Sequence, residues 1–332
     1  MFWIVPIDSF RTLAWILALT LSGLTGYSLA QSTPGYRTSV VKIETQIPDD
    51  ALSVETLGAK RSGSGVLIES QLVLTIGYLL LEADQVMITS STGRRIPGSV
   101  AGYDHESGLG LIRAALPLEG EPLSIGDSDA VNERQRVLTL GQGEAETTEL
   151  TVVSRRVFTG SWEYLLERPI FTFPPVNNWS GSALISESGL LVGVGSLILN
   201  DISESRSGVP GNLFVPVNLL KPILADLLRT GRRAGSVRPW LGVTTEMVKG
   251  RLLITRVTKS SPADLAGVES GDVIVGVDSE QIADRADFYR RLWDSGSAGV
   301  VVALRLLKSG EPRSVSVKSM DRMDFLRKPG GI

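Results

Sequence analysis

Side chains able to carry out nucleophilic or metal chemistry are scarce in this 332-residue chain. It contains one histidine, His105, and no cysteine. Without cysteine, thiolate metal sites, disulfides, iron–sulfur clusters and a cysteine nucleophile are excluded. A single histidine excludes multi-histidine metal sites, and a serine–histidine mechanism would have to use His105. We expect no metal and no cofactor, since neither a ligand cluster nor a phosphate-cradling glycine loop is present.

The composition is that of an ordinary globular protein. The chain is 42% hydrophobic and 21% charged, which excludes a disordered or coiled-coil protein. Its formal net charge of -3 argues against nucleic acid as a main partner. At roughly 150 residues per domain, the length suggests about two domains.

The first thirty residues form a candidate targeting segment. No charged side chain occurs from Thr12 to Tyr36, and Leu13 to Leu24 form a compact apolar core. Ser28-Leu29-Ala30 is a small-x-small pattern suited to signal peptidase. The core is shorter than the ~20 apolar residues that span a bilayer. We therefore expect residues 1–30 to be a cleaved signal peptide, with an uncleaved anchor over 12–30 as the alternative. Either predicts export to a bacterial periplasm.

Residues 38–215 alternate short apolar segments with Gly, Asp, Ser and Pro turns, which is typical of an all-β sandwich or barrel. The predicted strands are Ser39–Glu44, Gly65–Ile68, Gln71–Thr75, Val86–Ser90, Arg136–Leu140, Thr151–Phe158, Ser182–Ile185 and Leu190–Leu199.

A helix is predicted next, from Val217 to Thr230, with Asn218 as a start cap and Gly231 just past its end. Residues 231–237 (GRRAGSV) have the composition of a linker. A second unit follows over 238–320, with a short helix at Ser261–Ala266 and a longer one at Asp284–Trp293. We expect residues 321–332 to be a loose tail.

An ordered series of motifs resembles the HtrA/Deg family of trypsin-like serine proteases. In chain order these are Arg61–Ile68, Gly102–Asp104, Leu123–Asp129, Val137–Gly141 and Asn212–Asn218, and then Arg238–Val243, Ser260–Val268 and Ser270–Ile274, which look like a PDZ domain. The resemblance implies a mainly β fold: a chymotrypsin/trypsin-like double β-barrel over 31–230, followed by an α+β PDZ domain.

The resemblance places the catalytic positions and shows that two have changed. The family's base position is occupied by Tyr78, in Leu-Thr-Ile-Gly-Tyr, and its orienting aspartate position by Gly108. Ser180 keeps the nucleophile position, in Asn178-Trp179-Ser180-Gly181. A phenol with a pKa near ~10 is a poor general base at neutral pH. The site is therefore expected to be inactive, and Ser180 can equally be a small residue in a tight loop.

The oxyanion position and a rescuing base are two further questions. Asn178 replaces the glycine expected two residues before the serine, and Asn tolerates left-handed backbone better than most residues. Trp179 could fill the cleft. His105 lies three residues before the lost aspartate position, so a His105–Ser180 dyad is an alternative, against a solvated turn histidine.

The second unit is expected to bind peptides. A PDZ domain adds a peptide as an extra strand and holds its C-terminal carboxylate in backbone N–H groups. The resemblance places that loop at Leu241, Gly242 and Val243, with Thr244–Val248 as the edge strand. Phe288 and Leu292 are candidate groove residues, or simply core.

Three functional hypotheses follow. The first is an exported, inactive HtrA-like homologue that binds extended or C-terminal peptides and serves as a scaffold or regulator of envelope proteins. The second is an active serine endopeptidase that uses Ser180 with a non-standard base, and the third is a holdase chaperone. The resemblance further implies a homo-oligomer, commonly a trimer, with misfolded envelope proteins or an active homologue as partners.

Overall fold

Strands rich in buried apolar side chains build a first six-stranded barrel in the computed structural model, which describes residues 35–144, 147–202 and 208–327. The barrel closes in the order β1-β2-β3-β6-β5-β4, with every pair antiparallel. Ile43, Leu74 and Leu111 are among its fully buried residues. Its strands are β1 Val40–Gln46, β2 Lys60–Glu69, β3 Leu72–Ile76, β4 Gln85–Thr89, β5 Arg95–Tyr103 and β6 Leu109–Ala114.

A second barrel of the same design follows and completes the expected double barrel. It closes in the order β11-β14-β13-β12-β7-β8, and a separate hairpin, β9–β10, projects from it. Its strands are β7 Arg136–Leu140, β8 Thr148–Ser154, β11 Ile170–Phe173, β12 Ala183–Ser186, β13 Leu191–Leu199 and β14 Gly211–Pro216, and the hairpin strands are β9 Phe158–Gly160 and β10 Tyr164–Leu166.

The predicted strand Thr151–Phe158 is wrong at its C-terminal end. Strand β8 ends at Ser154, because Arg155 turns inward and its buried guanidinium donates to four main-chain carbonyls. These bonds satisfy the donors that burial would otherwise leave unpaired. The chain then restarts as β9, and this break produces the hairpin.

The single helix predicted over 217–230 is also corrected. The structure has a 3-10 turn at Val217–Leu219 and a helix, α2, at Leu224–Thr230, separated around Pro222, which has no N–H to donate. Asn218 does not cap the helix, since its amide donates to Asp127 and Asp129. The predicted stop is confirmed, because Gly231 adopts a left-handed φ of 76°.

The second domain is a PDZ-type sheet flanked by helices. Its strand order is β15-β16-β17-β19-β20, with the short β18 beside β17. Both predicted helices are confirmed, and the side chains of Ser261 and Asp284 cap their N-termini. The elements are β15 Val243–Val248, β16 Arg251–Val257, β17 Val273–Val277, β18 Glu280–Gln281, β19 Val301–Lys308 and β20 Glu311–Lys318, with α3 Pro262–Leu265 and α4 Arg285–Asp294.

Short helical elements complete the described part of the chain. They are the helices α1 Val54–Leu57 and α5 Arg322–Phe325, and the 3-10 turns Tyr36–Ser39, Gly77–Leu79 and Ser128–Ala130. Over the same described residues, no helix is both long and apolar enough to cross a membrane. The segment 1–30, expected to target the protein, lies outside the described residues.

The expected linker and the first part of the expected tail are both docked. Arg233 donates twice to the buried carboxylate of Asp104, at 2.8 and 3.0 Å. Phe325 packs on Trp240 with ring centroids 4.8 Å apart, and the N–H of Arg327 donates to Glu82. The expectation of a loose tail is therefore wrong for residues 321–327, because aromatic and polar contacts hold it.

The Asp104–Arg233 pair should contribute strongly to stability. Replacing Asp104 with Ala leaves Arg233 with Glu106 as its remaining carboxylate partner and removes the acceptor of the buried Ser107 N–H, and we expect the free energy of unfolding to fall by about 2 kcal/mol. Denaturant unfolding measures this change. The matched control is Asp226→Ala, which breaks an arginine–aspartate pair whose arginine is exposed and should cost much less. Equal losses in the two variants would contradict the expectation.

Candidate functional site

Ser180 lies in the loop before β12, where main-chain hydrogen bonds tie that loop to both barrels. Its carbonyl accepts from Ser64 N on β2 at 2.7 Å, and Gly181 N donates to Gly195 O on β13 at 2.8 Å. Gly181 has a φ of 73°, and a Cβ there would collide with the carbonyl oxygen of Ser64. The loop therefore requires glycine directly after the serine.

Tyr78 is the direct partner of Ser180. It lies on the 3-10 turn after β3, and its hydroxyl is 2.8 Å from Ser180 Oγ and 3.1 Å from the carbonyl oxygen of Ser196. Burial raises the pKa of Tyr78 well above its ordinary value, and the contact with Ser180 opposes this only in part. The phenol is thus neutral at physiological pH. A neutral phenol is a hydrogen-bond donor here and has no capacity to take the serine proton.

The position of the orienting acid is closed by a second phenol. Gly108 has a φ of 74°, and a Cβ on it would lie 2.9 Å from the hydroxyl of Tyr164. That hydroxyl donates to the carbonyl of Ser107 at 2.6 Å. Where the resemblance implies a carboxylate, this chain therefore has an uncharged hydroxyl, which comes from hairpin β9–β10.

His105 is engaged elsewhere. Its ring nitrogens lie 3.0 and 3.2 Å from Arg322 Nη1, and Nδ1 is 3.2 Å from the hydroxyl of Tyr103. Burial, followed by the charges of Arg322 and Arg238, holds the pKa of His105 well below its ordinary range. The ring is partly buried and neutral, in a turn where Arg322 and Tyr103 contact it. The structure pairs Ser180 with Tyr78 and places His105 against Arg322.

The oxyanion position differs from the expected conformation. Asn178 is not among the residues with positive φ, so the left-handed backbone anticipated for it is not adopted. Its amide instead donates to Glu144 at 3.2 Å, and Glu144 also accepts from Gly141 N. The ring of Trp179 is only partly buried and lies 6.4 Å from that of Tyr78. These side chains surround Ser180 without supplying a base.

The main-chain N–H groups of Leu241, Gly242 and Val243 converge on one carboxylate from the barrel. Glu163, at the turn of hairpin β9–β10, accepts from Leu241 N at 2.9 Å with one oxygen. Its other oxygen accepts from Gly242 N at 2.7 Å and Val243 N at 2.9 Å. Gly242 is required here, since it has a φ of 88° and a Cβ would meet Ser261. The predicted carboxylate loop thus holds a carboxylate of the same chain.

The predicted groove residues differ in what they reach. Phe288 and Leu292 are fully buried in the PDZ core, together with Leu241 and Val243. Tyr289 reaches the hairpin, since its hydroxyl donates to the carbonyl of Gly160 at 2.8 Å. The peptide-binding roles of Leu241, Gly242, Val243, Phe288 and Leu292 remain predictions.

Sequence reasoning missed Glu163 and Tyr164. Both belong to a hairpin that carries no motif, and their partners lie 57 to 80 residues away in the chain. The one available signal was a glutamate between two aromatic residues, Trp162 and Tyr164. Over the described ranges there is no group of three His, Cys, Asp or Glu side chains that could hold a metal ion.

Two family models match the chain. A trypsin-like peptidase domain matches residues 63–194, and a PDZ domain matches residues 239–319. These ranges lie within the expected domains 31–230 and 238–320. Between them they contain Tyr78, Gly108 and Ser180, and the Leu241–Val243 loop with its helix α4.

Curated relatives show the same two-domain resemblance. The periplasmic pH-dependent serine endoprotease DegQ of Escherichia coli is 26% identical over 272 residues, covering 77% of this chain and 58% of the relative. Serine protease PepD of Mycobacterium tuberculosis is 29% identical over 317 residues, covering 87% of this chain and 67% of the relative. The chain spans 56% to 58% of the length of three periplasmic relatives it matches.

Solved structures share the fold. The HtrA-type protease AlgW with a tripeptide is 20% identical with a TM-score of 0.52, covering 88% of this chain and 95% of that one. The serine endoprotease from Yersinia pestis is 21% identical with a TM-score of 0.51, covering 86% of this chain and 94% of that one.

Restoring the acid at position 108 should disrupt the site rather than rebuild it. Gly108→Asp places a side chain against the Tyr164 hydroxyl, and Gly93→Asp is a matched control because Gly93 has a φ of 86° with open space around it. We expect Gly108→Asp to lower the free energy of unfolding by about 1–3 kcal/mol more than the control. Denaturant unfolding of both variants measures it, and equal losses would contradict the closed position.

The Glu163 contact should make stability depend on pH. Burial raises the pKa of Glu163 to about 7, against the three N–H donors and Arg322, which lower it. The pKa of Glu163 is thus higher in the folded protein than in the unfolded chain, so the protonated side chain favours the folded state. This stabilisation is fully present below pH ~4.5 and is lost as the pH rises through about 7. From pH 5 to pH 8 the wild type should lose about 2 kcal/mol relative to Glu163→Gln. Parallel pH profiles would contradict this.

Proposed function

We propose that this chain, which belongs to the HtrA/Deg family of trypsin-like proteins with a C-terminal PDZ domain, is an exported peptide-binding homologue without peptidase activity. In this proposal the double barrel is a scaffold and the PDZ domain captures extended or C-terminal peptides. The clients are envelope proteins, which the protein scaffolds or regulates as a homo-oligomer in the periplasm.

The observation that carries the loss of catalysis is the contact between Tyr78 and Ser180. A serine hydrolase needs a group that accepts the Oγ proton, and among the described residues the side-chain hydroxyl bonded to Ser180 is that of a neutral phenol, Tyr78. Losing the triad costs on the order of a million-fold in turnover. Binding and oxyanion effects alone leave a rate about 10³–10⁴-fold above that of the uncatalysed reaction in water, which is too low for a useful protease.

Peptide capture is supported by the intact architecture of the second domain. Strand β15 pairs only with β16 among the described strands, so its other edge is the one that an added peptide strand would extend. The loop before it presents three converging N–H groups, which here hold a carboxylate. Neither feature depends on Ser180, and so peptide binding can persist without catalysis.

Export and assembly rest on the relatives. DegQ and DegP are named as periplasmic proteins, and this supports a periplasmic location. Assembly through the barrel, as a trimer, follows from the same family membership. An active homologue in the same compartment would be a suitable partner for a peptide-binding subunit that does not itself cleave.

The loss of catalysis is tested by incubating the purified protein and its Ser180→Ala variant with unfolded casein and with a fluorophosphonate probe. We expect neither cleavage nor labelling above the level of the variant, because no group near Ser180 accepts its proton. Cleavage or labelling that disappears in Ser180→Ala would establish an active endopeptidase in which Tyr78 or another group is the base. Suppression of casein aggregation by both proteins alike would support a holdase role.

A further inference from the structure

The Leu241–Val243 loop contains the arrangement expected of a bound C-terminal carboxylate, and the ligand is Glu163 of the same chain. Both carboxylate oxygens are engaged, and the three N–H donors lie 2.7 to 2.9 Å away. Glu163 is 4% exposed. An external carboxylate therefore cannot reach these donors while Glu163 occupies them.

The edge strand beside the loop is occupied by the same segment. Thr245 N, on the free edge of β15, donates to the carbonyl of Ser161 at 2.9 Å. Arg285, on helix α4, reaches the carbonyls of both Thr245 and Thr159. Residues of the barrel hairpin thus lie between β15 and α4, in the groove where an added peptide strand would pair.

Apolar and hydroxyl contacts complete the docking. Leu165 of the hairpin is buried in the PDZ core cluster together with Leu241 and Val243. The hydroxyl of Tyr289 accepts from Glu163 N at 3.1 Å and donates to the carbonyl of Gly160. Glu163 has a φ of 58°, the left-handed conformation that often ends a three-residue hairpin loop, and these bonds fix the loop against the PDZ domain.

We propose that hairpin β9–β10 is an intramolecular ligand that closes the PDZ groove, and that a peptide with a free C-terminal carboxylate must displace Glu163 in order to bind. The inference rests on the peptide binding proposed above.

The experiment compares the wild type with Glu163→Ala, using the purified protein. The control is Glu167→Ala, which removes an exposed carboxylate of the same hairpin region that pairs with Arg290 outside the groove. Binding is measured by fluorescence anisotropy with labelled decapeptides that end in valine, either as the free acid or as the amide. Hydrogen exchange of the main-chain amides of residues 241–245 is followed in parallel.

If Glu163 closes the groove, Glu163→Ala should bind the free-acid peptide at least tenfold more tightly than the wild type, because the competing state is removed. The amide should bind neither protein, and Glu167→Ala should match the wild type. The amides of residues 241–243 should exchange at least tenfold faster in Glu163→Ala. If that variant does not fold, Glu163→Gln serves in the same comparison.

Equal peptide affinity in the wild type and the variant, or unchanged exchange at residues 241–243, would overturn the inference. Faster exchange in the variant without binding of any free-acid peptide would leave the intramolecular contact standing and would overturn peptide capture instead. The exchange measurement therefore tests the occupation of the groove, and the binding measurement tests the proposed function.

Discussion

The Glu163 carboxylate is the interaction on which the relation between the two domains depends. This carboxylate is buried at the turn of hairpin β9–β10, where it accepts hydrogen bonds from three main-chain N–H groups of the PDZ domain. A buried carboxylate without such donors would be strongly unfavourable, so the hairpin and the PDZ loop stabilise each other's conformation. The left-handed backbone of Glu163, with a φ of 58°, is the conformation that often ends a three-residue hairpin loop, and the three bonds hold its side chain on the PDZ domain.

The same hairpin shapes the barrel site. Tyr164 follows Glu163 directly and places its hydroxyl against Gly108, the position of the lost acid. In the same site, the hydroxyl of Tyr78 is hydrogen-bonded to Ser180. Two phenols with raised pKa values, the partly buried Tyr78 and the buried Tyr164, thus lie at or beside the positions where the resemblance implies a base and an acid. Two neighbouring residues of one hairpin, Glu163 and Tyr164, thus contact the Leu241–Val243 loop and the backbone at Gly108.

Much of this architecture could be predicted from local pattern. Strand β7 occupies the residues expected for it, and helices α3 and α4 begin directly after Ser261 and Asp284, where the predicted helices began. The ordered motifs also located Ser180, Tyr78 and the Leu241–Val243 loop. Such features depend on spacing within a few residues, which periodicity and capping chemistry report directly.

The remaining features depend on contacts between distant segments. Arg155 ends a strand because its side chain donates to carbonyls up to 27 residues away. The side chain of Asn218 bonds residues about 90 positions away instead of capping a helix. The docked tail and the Glu163 contact likewise join parts of the chain that no local pattern relates. Propensity cannot report a partner of this kind, because the same residues in isolation would follow their local preference.

Glu163 and a peptide carboxylate are proposed to compete for the N–H groups of the Leu241–Val243 loop. The most direct test is a two-dimensional amide NMR titration of the wild-type protein with an unlabelled C-terminal peptide. We expect the amide chemical shifts of Leu241, Gly242 and Val243 to change together with those of Glu163 and Tyr164, with one common midpoint. Changes in the loop amides at saturating peptide, with the hairpin amides unmoved, would contradict it, because the groove would then accept a ligand without releasing Glu163.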